Sequence, residues 1–150
     1  MAKKTNQPEI EIVPYEPNEL AARVPGGPLP ALVVDSGSAA EIAWDDFFAG
    51  TIANYHTRVA CERAVRSFLV WCQESVPDKA LHQIMAGDVG RYLRALGGGL
   101  QKKKQHLAGL RKFFNLLVER HVIVLNPAAV AETGSSLPRY ARRNAWLKRP

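Results

Sequence analysis

Four stretches of the chain place apolar residues at helical spacing. The clearest runs from about Asn54 to about Ser75, where Cys61, Val65, Phe68, Leu69 and Cys72 recur at i, i+4, i+7, i+8 and i+11. Arg58, Glu62, Arg63 and Arg66 lie elsewhere on the same wheel, so the pattern predicts a helix with one core face and one basic face. Val76-Pro77-Asp78 ends it, because a proline disfavours helical geometry in the residue before it. A shorter segment over residues 39–50 sets Trp44, Phe47 and Phe48 at i, i+3 and i+4 and closes at Gly50. A third helix is expected from Gly87-Asp88, with Asp88 as its cap, through Val89, Tyr92, Leu93 and Leu96 to the break at Gly97-Gly98-Gly99. The fourth spans about Gln101 to His121, with Leu107, Leu110, Phe114, Leu117 and Val118 at i, i+3, i+7, i+10 and i+11. No strand pattern and no internal repeat competes, so the expected class is all-α.

The flanks read differently. Pro8, Pro14, Pro17, Pro25, Pro28 and Pro30 fall before Val33, with Gly26-Gly27 among them and no sustained apolar period. Residues 1–37 are therefore expected to form a flexible, proline-rich, acidic arm, with Asp35-Ser36-Gly37-Ser38 supplying turn and cap chemistry at its end. Residues 38–130 make the helical domain, and residues 131–150 a basic linker or tail carrying Arg139, Arg142, Arg143, Lys148 and Arg149. At 150 residues the chain suits one domain with an arm to spare, large enough for a real core without metals or disulfides.

Charge sharpens this division. The chain carries 20 Lys+Arg against 14 Asp+Glu, a net of +6. Residues 1–53 hold −5, residues 54–121 hold +7 and residues 122–150 hold +4. The excess is concentrated on the helical part, as a phosphate-binding face requires. No stretch reaches the ~18–20 apolar residues of a membrane span, and Met1-Ala2-Lys3-Lys4 runs into polar residues instead of a signal core, so a cytoplasmic protein without a membrane partner is expected. Cys61 and Cys72 stand eleven positions apart in one helix, about 16 Å at ~1.5 Å per residue, which is too far for a disulfide. The cysteines and histidines show no metal-ligand spacing, and no cofactor is expected.

Two segments carry candidate binding chemistry. Lys102, Lys103 and Lys104 open the fourth helix, followed by Gln105, Arg111 and Lys112. Cations at a helix start oppose the macrodipole, a broken local rule that phosphate oxygens would relieve; an ordinary solvated face is the alternative. The start of the second helix, Asn54-Tyr55-His56-Thr57-Arg58, combines a cap with short polar donors and an arginine able to reach base edges or phosphates. The same residues also serve as an ordinary capped helix start.

A family resemblance bears on that choice. Thr57-Arg58, Cys61, the run Val65-Arg66-Ser67-Phe68-Leu69-Val70-Trp71-Cys72, then Ile84, Asp88-Val89 and Tyr92-Leu93 occur in order. They are followed by Lys104-Gln105-His106-Leu107-Ala108-Gly109-Leu110-Arg111, Phe114, Leu117-Val118 and Asn126-Pro127-Ala128. Over roughly residues 40–130 this resembles the N-terminal core-binding domain of the tyrosine recombinases, the phage integrase family. The resemblance implies a four-helix SAM-like orthogonal bundle that forms half of a clamp around double-stranded DNA, with the second and fourth helices facing the duplex. Cys61 stands where the family has an aromatic, and Lys102-Lys103 where it has a Thr-Val-like pair.

The expected DNA contacts are Asn54, His56, Thr57, Arg58, Arg63 and Arg66 on one helix and Lys102, Lys103, Lys104, Gln105, Arg111 and Lys112 on the other; the resemblance itself carries over Thr57, Arg58, Lys104, Gln105 and Arg111, the last partly structural. The family's catalytic domain, with two arginines, a His-x-x-Arg element and a tyrosine nucleophile, is expected to lie beyond this chain. None of His56, His82, His106 and His121 is followed by arginine three residues on, and Tyr140 reads as part of a linker. The expected function is a module for DNA integration and recombination, non-catalytic alone, with other recombinase subunits as further partners. A helical protein–protein adaptor using its basic face is the competing class.

Overall fold

The computed structural model describes residues 25–131, and every regular element among them is helical. The expectations for residues 1–24 and 132–150, including Tyr140 and the basic tail, lie outside the described residues. In chain order the elements are α1 (Ala31–Asp35), α2 (Ser38–Asp45), α3 (Tyr55–Ser75), α4 (Ala86–Ala95) and α5 (Leu100–Glu119), with a 3₁₀ turn at Leu81–Gln83 before α4. None of these helices is long and apolar enough to cross a membrane.

Local chemistry sets their ends. The Asn54 side chain accepts the Thr57 N–H at 3.2 Å, which caps α3 and leaves it free to run for 21 residues. Gly37, at φ 93°, turns the chain between α1 and α2 in a conformation a side chain would resist. Beyond Asp45 the helix continues as one wider π-type turn, Asp46–Thr51, past the expected stop at Gly50. Asp88 is not the cap residue of α4 but its third residue, where its carboxylate reaches back to accept the Met85 N–H at 2.9 Å. The helix α5 ends at Glu119, two residues before the expected boundary, and His121 takes a left-handed φ of 57°.

The apolar stripe read on α3 is the observed core face: Cys61, Val65, Phe68, Leu69 and Cys72 are all buried, and both cysteines are free thiols. Burial pushes the Cys72 thiol up to about 12, Asp88 adding to the rise and Lys79 opposing it. On α5, Leu107, Leu110, Phe114 and Leu117 are buried as expected, but so is Phe113, which the single stripe omits. The helix is gripped from two sides. Phe113 packs edge-to-face against Trp44 of α2 and Phe47 of the π turn, with ring centroids 5.5 and 5.6 Å away, while Phe114 meets Phe68 of α3 at 5.9 Å. The most extensive packing of the molecule is between α3 and α5.

The chain before α2 belongs to this core. Leu32 and Val33 are buried, so this stretch of the expected arm packs into the core. Arg66 fastens the segment in place. Its Nε donates to Glu62 Oε1 at 2.9 Å, and its terminal nitrogens donate to the Pro28 and Gly27 carbonyls. Glu62 Oε1 also accepts the Gly26 N–H at 2.8 Å, and the guanidinium lies 5.0 Å from the centre of the Trp44 ring. At the other end, Arg111 donates to the carbonyls of Ala128 and Ala131 at 3.0 and 2.8 Å. Asn126 donates to the Arg111 carbonyl and to Asn115, so the Asn126-Pro127-Ala128 turn is pinned to α5.

Candidate nucleic-acid interface

The helices α3 and α5 cross closely because small residues meet there. A Cβ added at Gly109 would stand 3.5 Å from the Cys61 Cα and 3.5 Å from the Ala64 Cβ, room for a methyl group and little more. With Ala60 and Ala108 alongside, the crossing forms the floor of an open groove of about 550 Å³. His56, Thr57 and Arg63 line it from α3, and Lys102, Gln105 and Lys112 from α5. Positions 102, 105, 109 and 112 share a face at i, i+3, i+7 and i+10, which is why these residues point into the groove together.

The two helices run antiparallel along it. At one end Thr57 and Lys112 meet Asn54, Asn115 and Glu119 around a further hollow of about 490 Å³. At the other, Arg63, Lys102 and His106 meet Trp71, Tyr92 and Glu74 around one of about 380 Å³. Among the described residues no carboxylate lines the central section; Glu74 and Glu119 stand at its two ends. From Thr57 to Trp71 the groove follows fourteen residues of helix, about 20 Å at ~1.5 Å per residue.

Of the twelve expected contact residues, His56, Thr57, Arg63, Lys102, Gln105 and Lys112 are thus brought together, with Asn54 beside them as the α3 cap. Lys104 is exposed and Lys103 half-buried, but neither lines the groove, since their positions rotate them off the face that carries Lys102. Arg58 is half-buried with its guanidinium 5.5 Å from the Tyr55 ring centre. Two expectations are corrected in physical terms. Arg66 is 1% exposed and its donors are consumed by Glu62 and two backbone carbonyls, so it has no face to offer a ligand. Arg111, though exposed, donates Nε and Nη2 to the Ala128 and Ala131 carbonyls and lines none of these hollows, so part of its guanidinium holds the turn after α5.

Residue spacing also held information that was passed over. His106 lies one turn after Lys102, faces both the central groove and its aromatic end, and sits 2.8 Å through Nδ1 from the Tyr92 hydroxyl. Burial pushes the imidazole below the ordinary histidine range, and the charge of Lys102 pushes the same way. Cys61, on the groove floor, is pushed up by burial, with Lys112 opposing, so it stays a protonated thiol and not a nucleophile. Among the described residues no group of His, Cys, Asp or Glu is placed to hold a metal ion. No family model matches the chain, and no curated protein or solved structure matches it.

Proposed function

We propose that this chain is a DNA-binding module of the tyrosine-recombinase type. In this reading it is the core-binding domain of a site-specific recombinase or integrase, a four-helix SAM-like bundle working in the cytoplasm, gripping double-stranded DNA without cutting it. The observation that carries the reading is the α3–α5 groove, in which Arg63, Lys102 and Lys112 from two helices line one furrow whose central section, among the described residues, has no carboxylate. A solvated helix surface usually intersperses its charges, whereas a phosphate-binding face keeps one sign. Thr57 and Gln105 add neutral polar groups between the cations, with His56 beside them, the mixture that positions a backbone and touches base edges. The order of residues that resembles the core-binding family runs over α3, α4, α5 and the turn after α5, and its Thr57-Arg58 and Lys104-Gln105 elements fall on the two groove helices.

Mobility shift of a short duplex across a salt series tests it. About four phosphate contacts give a log–log slope of roughly −3 to −4, at ~0.9 per contact. Combining Lys102→Glu with Lys112→Glu places two carboxylates in the furrow and is expected to abolish the shift while the helical circular dichroism is unchanged. Binding that is undetectable in low salt, or indifferent to salt, overturns the DNA reading and leaves the basic face to an acidic protein partner.

A further inference from the structure

His106 occupies the junction of the central groove and its aromatic end, half-buried between the helices. Nδ1 is engaged with the Tyr92 hydroxyl at 2.8 Å, while Nε2 has no hydrogen-bond partner among the described residues. The charged groups around this hollow are Arg63 and Glu74 from α3 and Lys102 from its own helix, with the Tyr92 phenol from α4. His56 stands further along the same groove. A neutral imidazole fits such a place: burial, and then the charge of Lys102, disfavour a further cation beside Lys102 and Arg63 until an anion docks there.

A docked phosphate inverts that balance. It screens the imidazole from both cations and offers oxygen acceptors to Nε2–H in a charge-assisted bond. Tyr92 accommodates either protonation state. Its hydroxyl donates to a bare Nδ1 and accepts from Nδ1–H, so a proton gained there never leaves two donors facing each other. We propose that His106 is a further phosphate-binding residue of the groove, taking one proton from solvent onto its ring as a backbone phosphate docks beside Arg63 and Lys102. The proposal rests on reading the groove as a DNA-binding face, and it makes affinity proton-linked: binding strengthens as pH falls through the bound-state value of His106 and levels off below the free-state value.

Duplex affinity of the full chain is measured at fixed low ionic strength from about pH 8 to about pH 5.5, alongside the imidazole proton resonance of His106 by NMR with and without duplex. The wild type is expected to bind about 3- to 10-fold tighter at the acid end than His106→Gln does, the two converging near pH 8. His82→Gln, at an exposed histidine that does not line the groove, keeps the wild-type dependence, which ties the effect to His106. In the NMR titration duplex moves the His106 midpoint upward, and inorganic sulfate, which does not titrate in this range, moves it in the same direction. A His106→Gln profile parallel to wild type, or a His106 midpoint unmoved by both duplex and sulfate, overturns the proposal. If duplex does not bind at any pH but sulfate moves the midpoint, the anion site stands and the DNA reading alone falls.

Discussion

Arg63 and Arg66 lie three residues apart on α3 and have opposite surroundings. Arg66 is closed in by Glu62, the Trp44 ring and the carbonyls of Gly27 and Pro28, and is 1% exposed. Arg63 is exposed and looks across an open groove at Lys102 and His106. What separates them is not the residue type or its helix but the chain that passes beside it. Residues 26–28 bring backbone carbonyls to one side of α3 and convert a cation into a clasp; the other side meets the lysine face of α5, where no carboxylate stands among the described residues. An arginine whose donors are filled by its own chain holds the fold, and an exposed arginine at an open groove is the one the proposed DNA reading uses.

The largest effect that sharpens this contrast is Arg66→Ala. It strands Glu62 in the core with two carbonyls unpaired, and breaking a buried pair of this kind costs about 3–5 kcal/mol. Urea unfolding is expected to show that loss, and the double variant Glu62→Ala/Arg66→Ala is expected to recover part of it only, because Gly26, Gly27 and Pro28 remain without partners. Next in size is Gly109→Leu, which forces the α3–α5 crossing apart and costs about 1–3 kcal/mol by overpacking. Gly109→Ala is expected to be neutral or to stabilise by up to about 1 kcal/mol, since its methyl fits and alanine favours the helix. Equal losses for Leu and Ala would mean that the groove floor is not set by contact at this residue.

How legible these two faces were in the sequence follows from the range of the interactions. The helix cores were readable because a 3.6-residue apolar period is a local signal, and Cys61, Val65, Phe68 and Leu69 obey it. The groove was half readable. Lys102, Gln105 and Lys112 share a helical face that spacing alone reveals, but that Gly109 lets this face settle against Cys61 depends on a partner helix more than thirty residues away. Phe113 was missed for the same reason, since one stripe describes a helix with one neighbour and α5 has two. The fate of Arg66 was hidden furthest. Its partners come from a proline- and glycine-rich stretch whose composition reads as an arm, because backbone carbonyls leave no trace in residue type.

Asp88 falls between the two arginines in kind. Its side chain is fully buried, which by itself raises its pKa, yet Lys79 at 2.7 Å, the Met85 N–H and Arg91 outweigh burial and hold the carboxyl below its ordinary range. Unlike the clasp of Arg66, its partners reach into water, Arg91 being about half exposed. A carboxyl with a depressed folded-state value stabilises fully above the ordinary pKa of about 4, and that contribution disappears as pH falls through the lower folded value. Asp88→Asn is therefore expected to cost about 1–2 kcal/mol near neutral pH and progressively less in acid, until the two unfolding curves meet. A deficit that persists undiminished at the lowest pH would assign the loss to packing and not to charge.

Arg63→Ala has the smallest expected effect on the fold and is for that reason the most informative. The side chain is exposed, so its removal is expected to change unfolding free energy by no more than about 0.5 kcal/mol. If the groove binds DNA as proposed, the same substitution deletes one phosphate contact and shortens the salt dependence by about 0.9 in log–log slope. Stability and affinity then separate across a single helical turn: Arg66→Ala alters the first and, in whatever fraction stays folded, spares the second, while Arg63→Ala does the reverse. Should Arg63→Ala destabilise the fold like its neighbour, the open groove would be a structural surface closed by some further part of the chain. Should it leave the salt slope untouched while Lys112→Ala lowers it, the phosphate path would run from Lys112 towards Asn54 and bypass the aromatic end.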